Sequence, residues 1–388
     1  MNPSTIQRQV GYVLLVTVLS LMVLGIVMLL SISGKLAAEG SGAIYGALQK
    51  QGAWMILGGI ACAVVSRVDY HWFVRRSGWI LAGAAFLLLL VFVPHLGKKV
   101  NGSWRWISVG GMTLQPSEVV KWALVLFTAS WLGRYQRRLL WKGVLVPFAV
   151  TVGLVLVLVV SRDLGSAALL CTALTVLLFV AGTPKRYLLP VPLLGFGGLF
   201  AMALAMPERR ARLLAFLHPE ESKAGKGYQV YQALIALGSG GPTGLGLGNS
   251  RQKMYYLPEA PTDFIFPIVG EEMGLWVSLA VVLAFLVILL CGGWITLHAP
   301  DPTGVLLGAG LTSLMAVQAM VNLCVVTALL PNKGLPLPFI SYGGSNLLFC
   351  FLCVGMLFNL QRQGVCEDPE PVETILPQGR GQGATVRI

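Results

Sequence analysis

Long apolar runs separated by short polar segments dominate this chain. Several runs reach the roughly 20 residues that an α-helix needs to cross a bilayer. Lipid cannot hydrogen-bond to an open backbone, so such runs must be helical, whereas barrel strands would give short alternating segments. The pattern therefore predicts an all-α integral membrane protein with about ten transmembrane helices. We expect these spans at residues 10–31, 50–66, 77–96, 116–133, 142–160, 164–182, 185–206, 263–293, 304–330 and 343–361.

Basic residues in the short loops predict the orientation. The loops after spans two, four and six share a high content of arginine and lysine: Arg67, Arg75, Arg76, Arg134, Arg137, Arg138, Lys142, Lys185 and Arg186. Because cytoplasmic loops concentrate positive charge, we expect these loops and both termini to be cytoplasmic. The membrane domain is predicted to cover residues 1–361, and the Pro- and Gly-rich tail 362–388 is predicted to be disordered.

Composition supports the membrane assignment and removes two other classes of function. Hydrophobic residues make up 56% of the chain and charged residues 11%, against about 25% charged in soluble domains. The net charge of +12 would suggest nucleic acid in a soluble protein, but here much of it lies in loops, and we expect no nucleic-acid partner. Cys350 and Cys353 have a CxxC spacing without a second pair, so they predict no metal or redox site.

The segment 207–262, between spans seven and eight, is predicted to be one large ordered outer loop. Loops beyond about 15 residues are usually functional or disordered, and this one contains apolar LLAFL and YQALIAL stretches and a glycine-rich stretch. We expect short amphipathic helices near the membrane surface. The positive-inside rule does not govern long loops, so their charge is available to bind an anionic head group. The basic residues of the loop are Arg209, Arg210, Arg212, Lys223, Lys226, Arg251 and Lys253.

Two polar groups stand at predicted helix ends. Glu118 and Lys121, three residues apart, share a helix face and form either a structural ion pair or one wall of a site; from the sequence alone, the ion pair is the better interpretation. Asp163 follows Arg162 between two spans with almost no loop. A capping aspartate is the simpler interpretation there, and a site residue is the alternative.

A third group lies in LPEAPTDFIFPIVGEEMG. Glu271 and Glu272 lie roughly 12 Å along the helix axis from Asp263, and at least one must face protein because charge is costly in lipid. We interpret both glutamates as mostly structural. Asp263, where the outer loop enters span eight, reaches the surface and is the better catalytic candidate, although it could also be a simple cap.

The stretch LPNKGLPLPFISYGGSN contains three prolines that cannot lie in a regular helix. Irregular backbone at membrane depth is tolerated only beside protein or a water-filled cavity. Lys333, Ser341, Tyr342 and Ser345 are therefore predicted to line a cavity. Cations and a carboxylate at an outward-facing cavity suit a lipid-linked anionic substrate, but these residues fit a lipid-modifying enzyme, a lipid carrier or an ion-coupled transporter equally well.

The segments VNGSWRWISVGGMTLQPSEVVK, GYQVYQALIALGSGG, GLGLGNSRQK, YLPEAPTDFIFPIVGEEMGL and KGLPLPFISYGGSNLL resemble the SEDS family (shape, elongation, division and sporulation). The resemblance implies a ten-helix peptidoglycan glycosyltransferase that polymerises lipid II at the outer face of the bacterial cytoplasmic membrane. It also implies a class B penicillin-binding protein as transpeptidase partner, together with other divisome membrane proteins. The Lys-Gly before the prolines is more similar to the division members than to the elongation members, which implies work at the division septum.

The resemblance also assigns residues. The family's essential aspartate falls on Asp263, which we expect to be the general base. Arg105, Glu118, Lys121, Asp163, Arg210 and Arg212 match substrate-binding positions, and the cavity prediction adds Lys333 and Ser341. The chain departs from the family pattern at four places: Pro261 replaces a histidine, Ser161-Arg162 replaces Gln-Pro, His218 replaces an aspartate, and Asn346 replaces a serine.

The reaction expected from the resemblance would release undecaprenyl pyrophosphate. A divalent cation, magnesium or manganese, suits a diphosphate leaving group, although no metal-binding motif is readable in the sequence. Two other functions remain open: a lipid II flippase or transporter, and a non-catalytic scaffold that activates the transpeptidase. A scaffold would tolerate loss of Asp263.

Overall fold

The computed structural model describes residues 3–37, 41–93, 97–100, 103–109, 112–135, 142–217, 225, 227–254 and 256–366. Fourteen helices lie in these ranges, and each predicted span overlaps one or two of them. The helices are α1 (Pro3–Ala37), α2 (Ser41–Arg67), α3 (Tyr70–Arg75), α4 (Ser77–Leu90), α5 (Pro116–Tyr135), α6 (Lys142–Arg162), α7 (Leu164–Val180), α8 (Lys185–Leu188), α9 (Pro190–Ala205), α10 (Pro207–Leu217), α11 (Tyr228–Gly240), α12 (Ile265–Leu297), α13 (Pro302–Val326) and α14 (Gly344–Cys366).

The helices confirm a multi-pass membrane protein. Within the described ranges, seven helical segments are long and apolar enough to cross a bilayer, and α4 and α7 are shorter apolar helices. Helix α5 differs because it carries Glu118 and Lys121, and most of its side chains are buried against other helices. A helix surrounded by protein has no need of an apolar outer face. The number of ten spans, and the cytoplasmic position of both termini, stay predictions.

The prediction of a purely α-helical chain is wrong for the segment after α4. It forms a three-stranded antiparallel sheet in the order β1-β2-β3, with β1 at Gly97–Val100, β2 at Ser103–Val109 and β3 at Met112–Leu114. The sequence SWRWISV is rich in aromatic and β-branched residues, which favour strands, and Ile107 pairs with both Gly97 and Leu114. The sheet carries Arg105 on its central strand.

The large outer loop contains α10 and α11, as the sequence predicted. Its glycine-rich part inserts into a break in α12 at Gly274, where φ is 79° and ψ is −172°. The break frees helix carbonyls, so Leu245 N donates to Glu271 O at 2.9 Å and Gly246 N donates to Glu272 O at 3.0 Å. A side chain at Gly244 would collide with the Glu272 carbonyl. The loop is therefore held as part of the membrane domain.

Several predictions concern residues outside the described ranges. His218, Lys223, Lys226, Arg137 and Arg138 are among them, as is the tail from residue 367 onward. The predicted domain boundary after residue 361 falls inside α14, which runs to Cys366. The core of the membrane domain is formed by α5, α7, α13 and α14. Helices α5 and α13 each pack against the other three.

Candidate active site

Asp263 lies two residues before α12, where the outer loop joins the membrane domain, and it is half-buried. Its backbone carbonyl accepts a hydrogen bond from Asn322 Nδ2 at 2.8 Å. The same Asn322 amide donates to Leu335 O at 2.6 Å. Helix α13 thereby holds the entry of α12 beside the irregular proline-containing segment.

The Asp263 carboxylate packs onto the backbone of Gly334. A β-carbon at this position would collide with Asp263 Oδ2. The conformation of Gly334 is not in the left-handed region, so the need for glycine here comes from the close approach of the carboxylate. Gly334 therefore fixes where the carboxylate sits. Gly334 was not among the predicted site residues. The Lys333-Gly334 pair before the prolines is the feature of the sequence that could have pointed to it.

Charges from separate elements act on Asp263. Burial raises the pKa of Asp263 to about 7, with further upward contributions from Glu259 and Asp163, while Arg105 and Arg212 lower it. These residues come from the outer loop, the α6–α7 turn, strand β2 and helix α10. A carboxyl group that titrates near neutral pH can accept a proton from a hydroxyl group and later release it.

Asp163 caps helix α7, which confirms the simpler interpretation. Its Oδ1 accepts hydrogen bonds from Gly165 N at 3.0 Å and Ser166 N at 3.3 Å. Its Oδ2 accepts from Ser166 Oγ at 2.7 Å and from Gln115 Nε2 at 3.2 Å. Its charge also acts on Asp263 and on Lys333. The capping and electrostatic roles therefore coexist in one buried side chain, and Gln115, which the sequence analysis did not single out, helps to fix it.

Lys333 lies in the irregular segment between α13 and α14 and is half-buried. Burial lowers the pKa of Lys333, the Asp163 carboxylate raises it, and the Arg209 guanidinium lowers it. The Asp163 charge therefore acts on both Lys333 and Asp263, and the place of Lys333 on a cavity wall stays a prediction. Asn332 Nδ2, next to it, donates to Gln229 Oε1 of α11 at 2.6 Å, which holds the segment against the outer loop.

Glu118 and Lys121 form a buried ion pair, so the structural interpretation of this pair is the one observed. The Lys121 Nζ to Glu118 Oε2 distance is 2.8 Å, and the side chains are 0% and 2% exposed. Lys121 Nζ also donates to Gln318 Oε1 at 2.7 Å and lies 4.4 Å from the centre of the Phe349 ring. In this arrangement the predicted direct contact with substrate is not available to either residue, because both are enclosed by α5, α13 and α14.

Ser341 is enclosed as well, contrary to its predicted place on a cavity wall. It is 1% exposed, and its hydroxyl accepts a hydrogen bond from Leu337 N at 2.8 Å. Ser345 is buried too and accepts from Gln115 N at 2.8 Å. Each hydroxyl satisfies a backbone donor that lies outside a regular helix. Ser341 therefore holds the proline-containing segment together, and Ser345 joins the start of α14 to the residue before α5.

The arginines around the site differ in their surroundings. Arg105 is half-buried, and its Nε has no hydrogen-bond acceptor within the part of the chain that the structure describes. Arg210 and Arg212 are exposed on α10. Arg162 does not serve Asp163: its guanidinium stacks 3.6 Å from the centre of the Phe92 ring. Arg105 and Arg212 therefore remain available to an anionic group beside Asp263.

Glu271 and Glu272 bind the outer loop, as their structural interpretation predicted. The Glu271 carboxylate accepts hydrogen bonds from Ser250 Oγ and from Arg251 N at 3.0 Å. The Glu272 carboxylate accepts from Ser31 Oγ at 2.6 Å and pairs with Lys253 Nζ at 2.7 Å. Each is 1% exposed.

The described residues offer no group of three His, Cys, Asp or Glu side chains that could hold a metal ion. Magnesium sites often use only one or two carboxylates together with substrate phosphates. Asp263 and Glu259 could contribute to such a shared site but do not form one by themselves. The divalent cation therefore stays a prediction.

Comparison with known proteins identifies the family of this chain. The FtsW/RodA/SpoVE family of cell cycle proteins matches residues 12–365. A probable peptidoglycan glycosyltransferase FtsW of Geobacter metallireducens is 40% identical over 362 residues, which cover 93% of this chain and 96% of the relative. Stage V sporulation protein E of Bacillus subtilis is 36% identical over 351 residues, covering 90% of this chain and 96% of the relative.

Two solved structures have the same fold. One is a peptidoglycan synthase complex studied for how it coordinates polymerization and crosslinking, with a TM-score of 0.69, 25% identity, and coverage of 90% of this chain and 97% of that chain. The other is the rod shape determining protein RodA of Thermus thermophilus, with a TM-score of 0.65, 25% identity, and coverage of 90% and 96%. The resemblance inferred from the motifs is thus confirmed, and the chain belongs to the FtsW/RodA/SpoVE family of cell cycle proteins, the SEDS family.

Proposed function

We propose that this protein is a peptidoglycan glycosyltransferase that polymerises lipid II into glycan strands at the outer face of the bacterial cytoplasmic membrane. Membership of the family and the names of its relatives support the activity. A class B penicillin-binding protein is the proposed partner, in keeping with the coordinated polymerization and crosslinking described for the related complex. Similarity to proteins named FtsW supports a role at the division septum, beside other divisome membrane proteins.

One observation carries the chemical proposal. Asp263 is half-buried, its pKa is raised to about 7, and basic residues from separate elements act on it. Among the described residues, no hydrogen bond to its side chain contributes to this shift. A carboxylate with free acceptor capacity and a near-neutral pKa is suited to general base catalysis. The neighbouring cations suit a substrate that carries a diphosphate.

In the proposed reaction, Asp263 takes the proton from the 4-hydroxyl of the acceptor N-acetylglucosamine. That oxygen forms a bond to the anomeric carbon of N-acetylmuramic acid at the reducing end of the growing chain. The bond from this carbon to the diphosphate oxygen breaks, and undecaprenyl pyrophosphate leaves with the electron pair. The displacement inverts the anomeric configuration and needs no glycosyl-enzyme intermediate.

The leaving group gathers negative charge, which Arg105, Arg212 and Lys333 are placed to stabilise. Arg210, on the same helix as Arg212, is available to the same group. Burial lowers the pKa of Lys333, and a diphosphate beside it would raise that pKa and favour the charged form. Lys121 and Glu118 would act from the interior, by holding α5 against α13 and α14.

The test is polymerisation of purified lipid II by the full-length protein with its partner transpeptidase, in the presence of magnesium or manganese. Asp263→Asn is compared with Glu259→Gln, which removes a neighbouring carboxylate by the same kind of change. We expect a loss of about 10²–10⁴-fold for Asp263→Asn, the usual contribution of a general base, and less than tenfold for Glu259→Gln. Both variants must bind the partner and unfold at the wild-type temperature.

The other outcomes distinguish the alternatives. Normal polymerisation by a well-folded Asp263→Asn variant would contradict the general-base role while leaving the enzyme standing. No polymer from wild type, with transport of lipid II across vesicles, would favour the flippase. No polymer or transport, with activation of the partner's crosslinking by both variants, would favour the scaffold.

A further inference from the structure

A cavity with two arginines in its lining lies at the opposite end of α5 from Glu118. It has a volume of about 430 Å³ and opens between the start of α4 and the last turns of α5. Arginine, serine and aromatic side chains share its lining, and its main polar members are Arg75, Ser77, Ser130, Trp131 and Arg134. The proposed reaction uses none of these residues.

The cavity is built on a fixed frame. Ser130 Oγ of α5 donates to Val74 O of α3 at 2.9 Å, which joins the two walls. The Trp131 ring packs 5.6 Å from Phe127 and 5.1 Å from Tyr135, measured between ring centres. Such aromatic contacts restrict the side chains that line the cavity. The aromatic wall on α5 is therefore held in place, and the two arginines lie at the exposed mouth of the cavity.

The charges in the cavity lack a protein counter-ion. Arg75 and Arg134 are exposed, and neither pairs with a carboxylate among the residues that the structure describes. The described carboxylates on the same side of the membrane are engaged elsewhere. Asp69 accepts from His71 at 2.9 Å, and Asp301 accepts from Tyr70 at 2.6 Å.

The two charged side chains of the lining offer hydrogen-bond donors only. They are the guanidinium groups of Arg75 and Arg134. Arginine matches the geometry of phosphate oxygens and binds them through pairs of N–H groups. The chemistry of the cavity thus selects a phosphate.

The surroundings identify the source of that phosphate. Arg75 ends α3 and Arg134 lies in the last turn of α5, at the end of these helices that the distribution of basic residues predicts to be cytoplasmic. Trp79, on the rim, is 83% exposed, and tryptophan favours the level of the lipid head groups. Anionic lipids are concentrated in the cytoplasmic leaflet, and basic pockets between helices bind their head groups. We infer that this cavity binds the phosphate head group of an anionic phospholipid of the cytoplasmic leaflet.

The inference is tested on the full-length protein in detergent, by native mass spectrometry with phosphatidylglycerol and with phosphatidylcholine of the same tails. The variant Arg75→Gln/Arg134→Gln is compared with Lys185→Gln/Arg186→Gln. The second variant removes two basic residues from the same predicted side of the membrane but outside the cavity. We expect retained phosphatidylglycerol to fall roughly tenfold in the cavity variant and less than twofold in the control.

Two further arms keep the result decisive. The variant Arg75→Lys/Arg134→Lys keeps the charge and should retain phosphatidylglycerol within about threefold of wild type, which separates lost binding from misfolding. Inorganic phosphate at millimolar concentration tests the alternative source, and displacement of the lipid by it would overturn the lipid assignment. Equal losses in the cavity and control variants, or equal retention of phosphatidylcholine by wild type, would also overturn it.

Discussion

Two sets of carboxylates lie within a short stretch of this chain and have opposite surroundings. Glu271 and Glu272 are buried and accept hydrogen bonds from the outer loop, and Glu272 pairs with Lys253 at 2.7 Å. Asp263 is half-buried, and burial and the charges of neighbouring residues change its pKa. No hydrogen bond is among the causes of this pKa shift. The comparison teaches that burial alone does not mark a reactive carboxylate. The useful marker is acceptor capacity that the protein leaves free.

The largest expected effect is a difference in thermal stability between a variant of Glu272 and a variant of Asp263. Glu272→Ala leaves Lys253 buried without its partner and removes the acceptor of Ser31. Breaking a buried ion pair on one side costs about 3–5 kcal/mol. We therefore expect a large fall in the thermal unfolding temperature, followed by tryptophan fluorescence. Asp263→Ala, measured beside it, should unfold within a few degrees of wild type. Equal destabilisation by both variants would contradict the distinction.

A smaller effect is expected from the contact between Asp263 and Gly334. Gly334→Ala places a methyl group against Asp263 Oδ2 and pushes the carboxylate away. A displacement of about 1 Å at a reacting group can cost roughly 10²-fold, so we expect polymerisation to fall about 10–100-fold. Gly343→Ala is the matched control, because the nearest atom to its added carbon is 4.0 Å away. Similar losses in both variants would show that the segment is merely intolerant of alanine.

Asp163 allows its capping role to be separated from its charge. Asp163→Ala removes the cap of α7 and should cost about 1–2 kcal/mol of stability, whereas asparagine caps nearly as well as aspartate. Asp163→Asn should therefore fold nearly normally but lower the pKa of Asp263, since the Asp163 charge raises it. Thermal unfolding and the pH dependence of polymerisation are measured on both. An unchanged pH profile in Asp163→Asn would contradict the coupling.

The smallest effect is a pair of opposite shifts in the pH profile. Because Asp263 must be deprotonated to act as a base, activity should fall tenfold per pH unit below its pKa of about 7. Glu259→Gln removes a charge that raises this pKa, so the acid limb should move to lower pH. Arg212→Gln removes a charge that lowers it, so the limb should move to higher pH. Water screens the exposed Glu259 and Arg212 charges, so each variant should shift the acid limb by roughly half a pH unit. Shifts of the two variants in the same direction would contradict the assignment of this limb to Asp263.

Prediction from sequence was most successful for residues whose exposure to lipid would cost a large free energy. Glu271, Glu272 and the prolines from Pro331 to Pro338 conflict with a lipid-exposed helix, so their burial and irregular backbone could be inferred. Ser341 was predicted to line a cavity but is buried, because a serine hydroxyl group can face either solvent or protein at a small cost in free energy. The direction of its side chain depends on which backbone N–H groups of the proline-containing segment lack an acceptor. Here Leu337 N donates to the Ser341 hydroxyl group.

The residues that the sequence analysis missed act through contacts distant in the chain. Gly334 matters because Asp263 packs against it, and Asn322 matters because it bonds both Asp263 O and Leu335 O. Glu259 matters through its charge beside Asp263. A glycine in a proline-rich loop or an asparagine in a helix has many common explanations. Its partner must be known before any of them is preferred.

The sequence by itself determined that this is a multi-pass membrane protein of the SEDS family, because long apolar runs have one stable form in lipid and the motifs match in order. It also placed Asp263 at the start of a long apolar helix, where the structure has it two residues before α12. Only the tertiary structure decided that Glu118 and Lys121 pair inside the bundle, that β2 carries Arg105, and that charges from four separate elements act on Asp263. The physical reason is that burial and electrostatic interaction depend on distance in space, which segments far apart in the chain acquire only when they pack.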